Sequence, residues 1–597
     1  MATKGITEPA VSRNEARGLR QVMSVVHTWS SLVPLWVLYF VFITGSVGYF
    51  HIEVSNWMKP EIEHVAEPVD ELAVAAQAES YLSENAAEAS RWTISFPYER
   101  KETASLTWSG NLSAEETQEL TAEERAALQE NSNGSVDLNP ASGAVYSDQV
   151  RETGGGNLLY RMHYVLHYVS RTAGESIVVM CTFLMFAALV SGIIIHKKIF
   201  KDFFTFRPAK GQRSWLDAHN IFSVMTLPFQ LMITYSGLLF SAAIIMPLMI
   251  YGPLAMLGFD VDNLLSANSP DDLSPKNREL AEIAAENALG RPLFTPPAGA
   301  KADMVPLSEL ASDFRARHPD QPVSMLVVDN PNRENALATI QSSPALDRQP
   351  EAREVYNAVT GIALGDSSET RVGVDAGGIQ GVILALHEGH FSPIVLRWLY
   401  LLSGLAGAGM IASGAILWVR KRRQAYEAAL KRYAKKNGDT DKAETPQIGK
   451  GVVFVEQMNV STIIGLPIGI AVYFLANRLI PLSLENRGSL EADAMFIAWA
   501  LTFMVAIIRP GARIWSELMW IACIAFAAIP LVNAFTTDRH LGISLSAGDW
   551  MMAGFDLTML AISAVFALAA LISGQRQGSI TLLGNTSLKQ QSLSPAE

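Results

Sequence analysis

The sequence predicts an all-α polytopic membrane bundle of about eight transmembrane helices, with two small α+β domains on its outer side. Of its 597 residues, 49% are hydrophobic and only 17% charged, and mean hydropathy is +0.19. Such a chain needs lipid to cover it. Eight apolar stretches reach or approach the roughly 20 residues required to cross the hydrocarbon core. The acidic residues behind the net charge of −12 gather in two long polar segments, while basic residues sit beside particular apolar runs.

In chain order, residues 1–25 form a basic N-terminal segment, 26–50 the first span, 51–173 an outer segment and 174–196 the second span. A basic loop, 197–218, leads to the third span at 219–250, a second outer segment at 251–393, the fourth span at 394–419 and a basic linker at 420–458. Four further helices fill 459–575, at about 459–480, 493–508, 514–535 and 551–573, the second of them the shortest, before a tail at 576–597. Lys4, Arg13, Arg17 and Arg20 precede the first span, HKKIFKDFFTFRPAKGQR joins the second to the third, and RKRRQAYEAALKRYAKK follows the fourth. The positive-inside bias makes these segments cytoplasmic, with both termini inside a bacterial inner membrane and the two acidic segments in the periplasm. The first apolar run has no small-residue cleavage site and reads as a retained anchor.

Each outer segment has its own signals. DELAVAAQAESYLSENA and PLSELASDFRARHP have helical periodicity, whereas RWTISFPY, ASLTWSG, SMLVVDN and ENALATIQSS read as strands. A turn-like element recurs as VDLNPASGAV at 136–145 and VYNAVTGIAL at 355–364, where a glycine supplies the positive φ between two strands. The run GGG at 154–156 reads as a linker. Cys181 and Cys523, the only cysteines, lie in apolar runs and offer neither a disulfide framework nor a thiolate metal site. No basic domain points to nucleic acid, and no catalytic triad or phosphate-binding loop is visible.

The membrane part is duplicated. His27 opens the first span with Gly45 18 residues later, and His219 opens the third with Gly237 18 residues later. MHYVLHY, with His163 and His167, precedes the second span, and LHEGHF, with His387 and His390, precedes the fourth. Eight of the eleven histidines thus fall near the ends of the first four spans: His27, His196 and His219 on the inner side, and His51, His163, His167, His387 and His390 on the outer. Groups of this kind at membrane depth imply a specific partner.

Imidazoles on facing helices suit axial ligation of haem iron, and two per haem favour electron transfer over oxygen chemistry. On this reading His27 and His219 hold an inner haem, with His196 as a further inner candidate. The outer haem takes one of His163 and His167, which share a helical face at i, i+4, and one of His387 and His390; His167 with His387 is the preferred pair. His51 reads as an interface residue. Trp29, Trp36, Tyr39, Phe40, Tyr235 and Phe240 are candidate pocket aromatics, with ordinary lipid-facing or core roles as the competing reading. A transition-metal transporter would also need intramembrane carboxylates or thiolates, which the first four spans almost lack.

VVHTWSSL with TGSVGYF, LHYVSRTAG, SGIIIHKKIFKDFFTFRP, SWLDAHNIFSV with TYSGLLF, and LHEGHFSPIVLRWLYLLSGL with WVRKRR carry a resemblance to the PepSY-associated transmembrane family, over about residues 20–425. That family includes iron-regulated inner-membrane proteins and ferric-siderophore reductases. The resemblance implies two PepSY-like outer domains, two haem b groups on His27, His219 and the outer histidines, and a membrane-bound b-type haem oxidoreductase of the ferric reductase class. It also implies electron passage to a periplasmic acceptor, a ferric siderophore or other Fe(III) chelate, in iron uptake. Because no flavin domain is fused to this chain, the donor is expected to be a separate cytoplasmic flavin reductase or quinol. The competing expectation is a non-enzymatic PepSY membrane protein that binds or regulates a periplasmic partner. The four helices at 459–575 depart from the family pattern, carry no histidine in their apolar parts, and place Glu456, Arg478, Arg509, Glu517 and Asp556 mostly at interfaces.

Overall fold

The computed structural model describes residues 13–62, 69–98, 100–110, 133–146, 150–196, 206–207, 211–241, 274–278, 300–342, 352–366, 376–389, 391–437 and 446–591. His64 and His390 lie outside the described residues. The chain divides into two compact units, one of Met1–Met58, Glu152–Ile244 and Pro393–Glu597, the other of Lys59–Arg151 and Ile245–Ser392.

The first unit is that of a polytopic membrane protein. Among the described residues, six single helices are long and apolar enough to cross a bilayer: Arg171–Ile195 (span 2), Ile394–Tyr433 (span 4), Lys450–Leu479 (span 5), Arg487–Ile508 (span 6), Arg513–Thr536 (span 7) and Trp550–Gly574 (span 8). Two bent pairs complete the eight, Gly18–Leu32 with Leu35–Gly48 (span 1, bent by 63°) and Gln212–Met225 with Leu227–Phe240 (span 3, bent by 66°). Proline causes both breaks, because its missing N–H and its ring interrupt the helical ladder. Pro34 stands at the first bend and Pro228 opens the second half of span 3.

Charge made the later boundaries hard to read. Span 6 begins at Arg487, before the charge-free stretch, because Arg487 and Glu491 form an i, i+4 ion pair inside the protein, 1% and 0% exposed. The helix that contains span 4 runs on to Asn437, so the first half of the expected basic linker is helical. Span 5 contains one π-helical turn, Ser461–Gly465.

In the second unit the two outer segments build one sheet, not two separate domains. Strands β1 (Arg91–Ser95), β2 (Ala104–Ser109), β3 (Gly134–Leu138), β4 (Val323–Asp329), β5 (Leu337–Ser342), β6 (Arg353–Asn357) and β7 (Ala363–Asp366) run antiparallel in the order β3-β2-β1-β4-β5-β6-β7. The seam is β1 against β4, with Thr93 opposite Val327 and the Arg91–Asp329 ion pair at 2.6 Å. Alternate positions of β1 bury Trp92 and Ile94, and these pack with Leu82 of helix Glu71–Asn85, Phe314 of helix Leu307–Arg317 and Leu326 of β4. Each half contains the same turn. Asn139 Oδ1 accepts from the amides of Ala141 and Ser142, and Asn357 Oδ1 from those of Val359 and Thr360. Gly143 and Gly361, four residues on, both take φ +71°.

Glu79 ties the two halves together, its carboxylate accepting the Leu307 amide at 2.8 Å. Burial lifts its carboxyl above the usual range, and the amide offsets this only in part. A raised carboxyl pKa means that the protonated form is favoured on folding, so this contribution is present at low pH and lost as pH rises through the raised value. Glu79→Gln keeps the acceptor and removes the charge. Its melting temperature should exceed the wild type's at pH 8 and converge with it at pH 4, read by differential scanning fluorimetry; a gap that widens toward pH 4 would refute the assignment.

Candidate haem-ligand site

Three of the span-end histidines sit in the same local construction. His27 Nδ1 donates to the Ala188 carbonyl at 2.9 Å, His219 Nδ1 to the Met410 carbonyl at 2.9 Å, and His163 Nδ1 to the Val41 carbonyl at 2.8 Å. In each case the residue four positions beyond that carbonyl is a glycine against the ring: Gly192, Gly414 and Gly45. In a helix the carbonyl of residue i already accepts the amide of residue i+4. Its second lone pair is reachable only where the side chain at i+4 does not cover it, and glycine uncovers it. A Cβ on Gly192 or Gly414 would stand 3.3 Å from the His27 or His219 ring, and a Cβ on Gly45 would overlap the His163 ring.

A carbonyl can only accept, so Nδ1 carries the proton in all three rings and Nε2 keeps its lone pair. This is the arrangement found behind metal-bound histidines, whose other ring nitrogen donates to a backbone carbonyl or carboxylate. At His219, Ser413 Oγ lies a further 3.3 Å from Nδ1. The start of span 3 is fixed two residues before it, where the buried Asp217 carboxylate accepts a forked pair of bonds from Arg207 at 2.9 and 3.0 Å.

His27 and His219 face one another with ring centroids 6.4 Å apart and planes at 76°. They line a cavity of about 710 Å³ bounded by spans 1 to 4, within the range of about 300–1,000 Å³ typical of ligand and cofactor pockets. Leu35, Leu38, Met185 and Ile411 give it apolar walls, while Gln212, Lys421 and Arg422 add polar and cationic groups. His196, the residue that ends span 2, lines the same cavity.

The remaining histidines differ. His167 stacks on Phe496 of span 6, centroids 5.4 Å apart and planes at 8°, without a carbonyl cradle of the His163 kind. The carbonyl-and-glycine seat is thus at His163, whereas the sequence reading leaned to His167. His387 lies near the end of helix Ala376–Glu388, in the other unit. His51 bonds locally to the Gly48 carbonyl at 2.7 Å and stacks on Tyr160. None of the six aromatics named from the sequence lines the cavity, and Trp29, Tyr235 and Phe240 are exposed.

Sequence reading missed Gly192 and Gly414. The signal was there: Ser-Gly recurs in VSGIIIH and ASGAILW, each on the helix facing a span-opening histidine. It also missed that the GGG run is no linker. Gly155 takes φ +56°, and Gly156 fits so closely under the His51 carbonyl that a methyl there would overlap it.

Residues 24–421 match the family described as the PepSY-associated TM region. The chain belongs to that family. No curated protein matches this PepSY-associated protein in sequence. The family match reaches into all four spans that bear the cavity and stops before spans 5 to 8.

Seating of the His163 ring has a direct check. Gly45→Ala adds a methyl where the ring lies and should cost about 1–3 kcal/mol of stability, the usual range for overpacking. Gly18→Ala, with nothing within 4 Å, should be neutral or stabilising. Equal melting temperatures for Gly45→Ala and wild type in detergent would show that the ring is seated elsewhere.

Proposed function

We propose that this PepSY-associated protein passes electrons through the bilayer by way of two haem b groups held by histidine. One observation carries the reading, the 6.4 Å separation of the His27 and His219 rings. Two imidazoles that each kept the usual nitrogen distance of about 2.0–2.1 Å to one metal between them would hold their rings at a separation of this order. Among the described residues no group of three or more His, Cys, Asp or Glu is arranged to hold a metal ion. His27 and His219 would be enough to hold a metal that arrives inside a macrocycle. Held by His27 and His219, the group would supply one-electron transfer.

This chain's residues would prepare the place. The Ala188 and Met410 carbonyls orient the two rings with Nε2 available, and Gly192 and Gly414 permit that approach. Leu35, Leu38, Met185 and Ile411 give the cavity apolar walls, and Lys421 and Arg422 contribute positive charge. At the other end of span 1, the Val41 carbonyl prepares His163 in the same way. By the sequence repeat alone, His387 and His390 are the other outer candidates. His196 is then a cavity-lining residue and His167 a ring packed on span 6.

The family resemblance supplies the direction, from a separate cytoplasmic flavin reductase or quinol as donor to a periplasmic ferric siderophore or other Fe(III) chelate as acceptor, and the positive-inside pattern says only which face is which. Reduction to Fe(II) loosens the grip of hard oxygen chelators, which links the reading to iron uptake. The protein would act as a membrane-bound b-type haem oxidoreductase of the ferric reductase class.

Protein purified in detergent from haem-replete cells should show a Soret band and α and β bands on dithionite reduction. The double variant His27→Ala, His219→Ala should lose about half the haem measured as pyridine haemochrome. Wild-type protein with no Soret band would end the haem reading and leave partner binding by the sheet unit as the function to pursue. Unchanged haem in the double variant would reject the His27–His219 pair.

A further inference from the structure

We infer that spans 5 to 8, which lie beyond the family match, serve as a brace that positions His163 by gripping the chain immediately before its helix. The inference rests on the haem reading for its functional meaning. Its geometry lies wholly within the first unit.

Four consecutive residues, Glu152 to Gly155, are held from spans 5 and 6. Arg487 donates to the Glu152 carbonyl at 3.0 Å, and Thr153 Oγ1 donates to Glu491. Gly488 stands against the Gly154 backbone, where a Cβ on Gly488 would come within 3.1 Å of the Gly154 nitrogen. Tyr473 Oη donates to the Gly155 carbonyl at 2.9 Å. Helix Gly155–Met162 starts at this grip, and His163 is its C-cap.

Two turns separate the grip from the imidazole, so a tilt of the helix start displaces the ring from the Val41 carbonyl. The opposite wall is held as well. Gly156 packs under the His51 carbonyl and its amide donates to Ser55 Oγ at 3.0 Å, which ties the helix to His51–Met58. That second helix is itself fixed by the extension: the Arg478 guanidinium lies 3.8 Å from the centre of the Trp57 ring and bonds the Trp57 carbonyl, while Trp57 Nε1 donates to Asp556 at 3.0 Å.

The composition of the grip argues for fixed position. Arg487 and Glu491 are almost wholly buried, and Arg487 spends its donors on Glu491 and on the carbonyls of Glu152, Asn477 and Ile480. A buried charge pair is tolerated only in one satisfied geometry, and such pairs are best attested as devices that fix register. Apolar packing alone would hold the spans together without choosing the height and tilt of one short helix.

The test uses full-length protein in detergent and three variants: Gly156→Ala, the double variant Tyr473→Phe, Glu491→Gln, and Tyr473→Phe alone as the mildest change. The wild type provides the haem control and His163→Ala the reference for loss of one haem. The first two variants should lose the same haem as His163→Ala, or shift its midpoint potential, while the haem on His27 and His219 keeps its wild-type potential. Tyr473→Phe should shift that potential in the same direction by less.

In parallel, amide hydrogen exchange over residues 155–166 should quicken by about tenfold or more, while the segments around Gly192 and Gly414 stay at wild-type rates. Both haems intact at wild-type potentials, or both lost together, would overturn the inference, as would unchanged exchange over 155–166. Wild-type protein without haem would instead sink the haem reading, and the exchange result alone would then decide the brace.

Discussion

Much of the membrane unit follows from a carbonyl that serves two donors. The helical carbonyls of Val41, Ala188 and Met410 each keep their intrahelical role and also accept an imidazole N–H, because a glycine one turn later uncovers the oxygen. That second bond fixes the ring's tautomer, its rotation and its distance from the helix at once. It needs no ionisable second residue, which in hydrocarbon would be costly. A charge-free support of this sort is well matched to apolar walls, and the His27–His219 cavity has them.

The two halves of the bundle repeat this construction between spans 1 and 2 and between spans 3 and 4, with a proline break in the span that bears each histidine. Spans 5 to 8 follow another logic. There the buried Arg478, Arg487, Glu491 and Asp556 are matched one by one with amides, carbonyls and each other. Lone buried charges cost several kcal/mol each, so such a network persists only when complete. The first four spans thus use backbone acceptors to orient rings, while the last four use ions to join distant parts of the chain.

How far each of these was legible depended on the range of the signal. His27, His163 and His219 stood out because polar rings at the ends of apolar runs break a strong local pattern, and the Gly143 and Gly361 turns because an Asn four residues before a Gly is a local motif. The difference between His163 and His167 was not legible: their i, i+4 spacing suggested one helical face, whereas helix Gly155–Met162 ends before both, and the carbonyl that meets His163 belongs to Val41, more than a hundred residues away. The union of the outer segments was equally hidden. Pairing of β1 with β4 joins residues 91–95 to 325–329, and neither strand carries a mark of its partner. The sixth span was begun at about 493, past Arg487 and Glu491, because sequence shows charge but not its compensation, and Gly154–Gly156 was read as a linker because composition does not distinguish a loose glycine from a crowded one.

The shared sheet constrains how the molecule is made. At the moment the first outer segment leaves the ribosome it offers only β1, β2 and β3, and the edge of β1 that will meet β4 is open. Spans 2 and 3 must be synthesised before the second segment can supply β4. Through that interval β1 carries Trp92 and Ile94 with an unpaired row of amides, the kind of edge that recruits stray strands. Biogenesis of this protein therefore includes a waiting period, and whatever shields one strand during it belongs to the folding pathway as much as the residues that finally cover it.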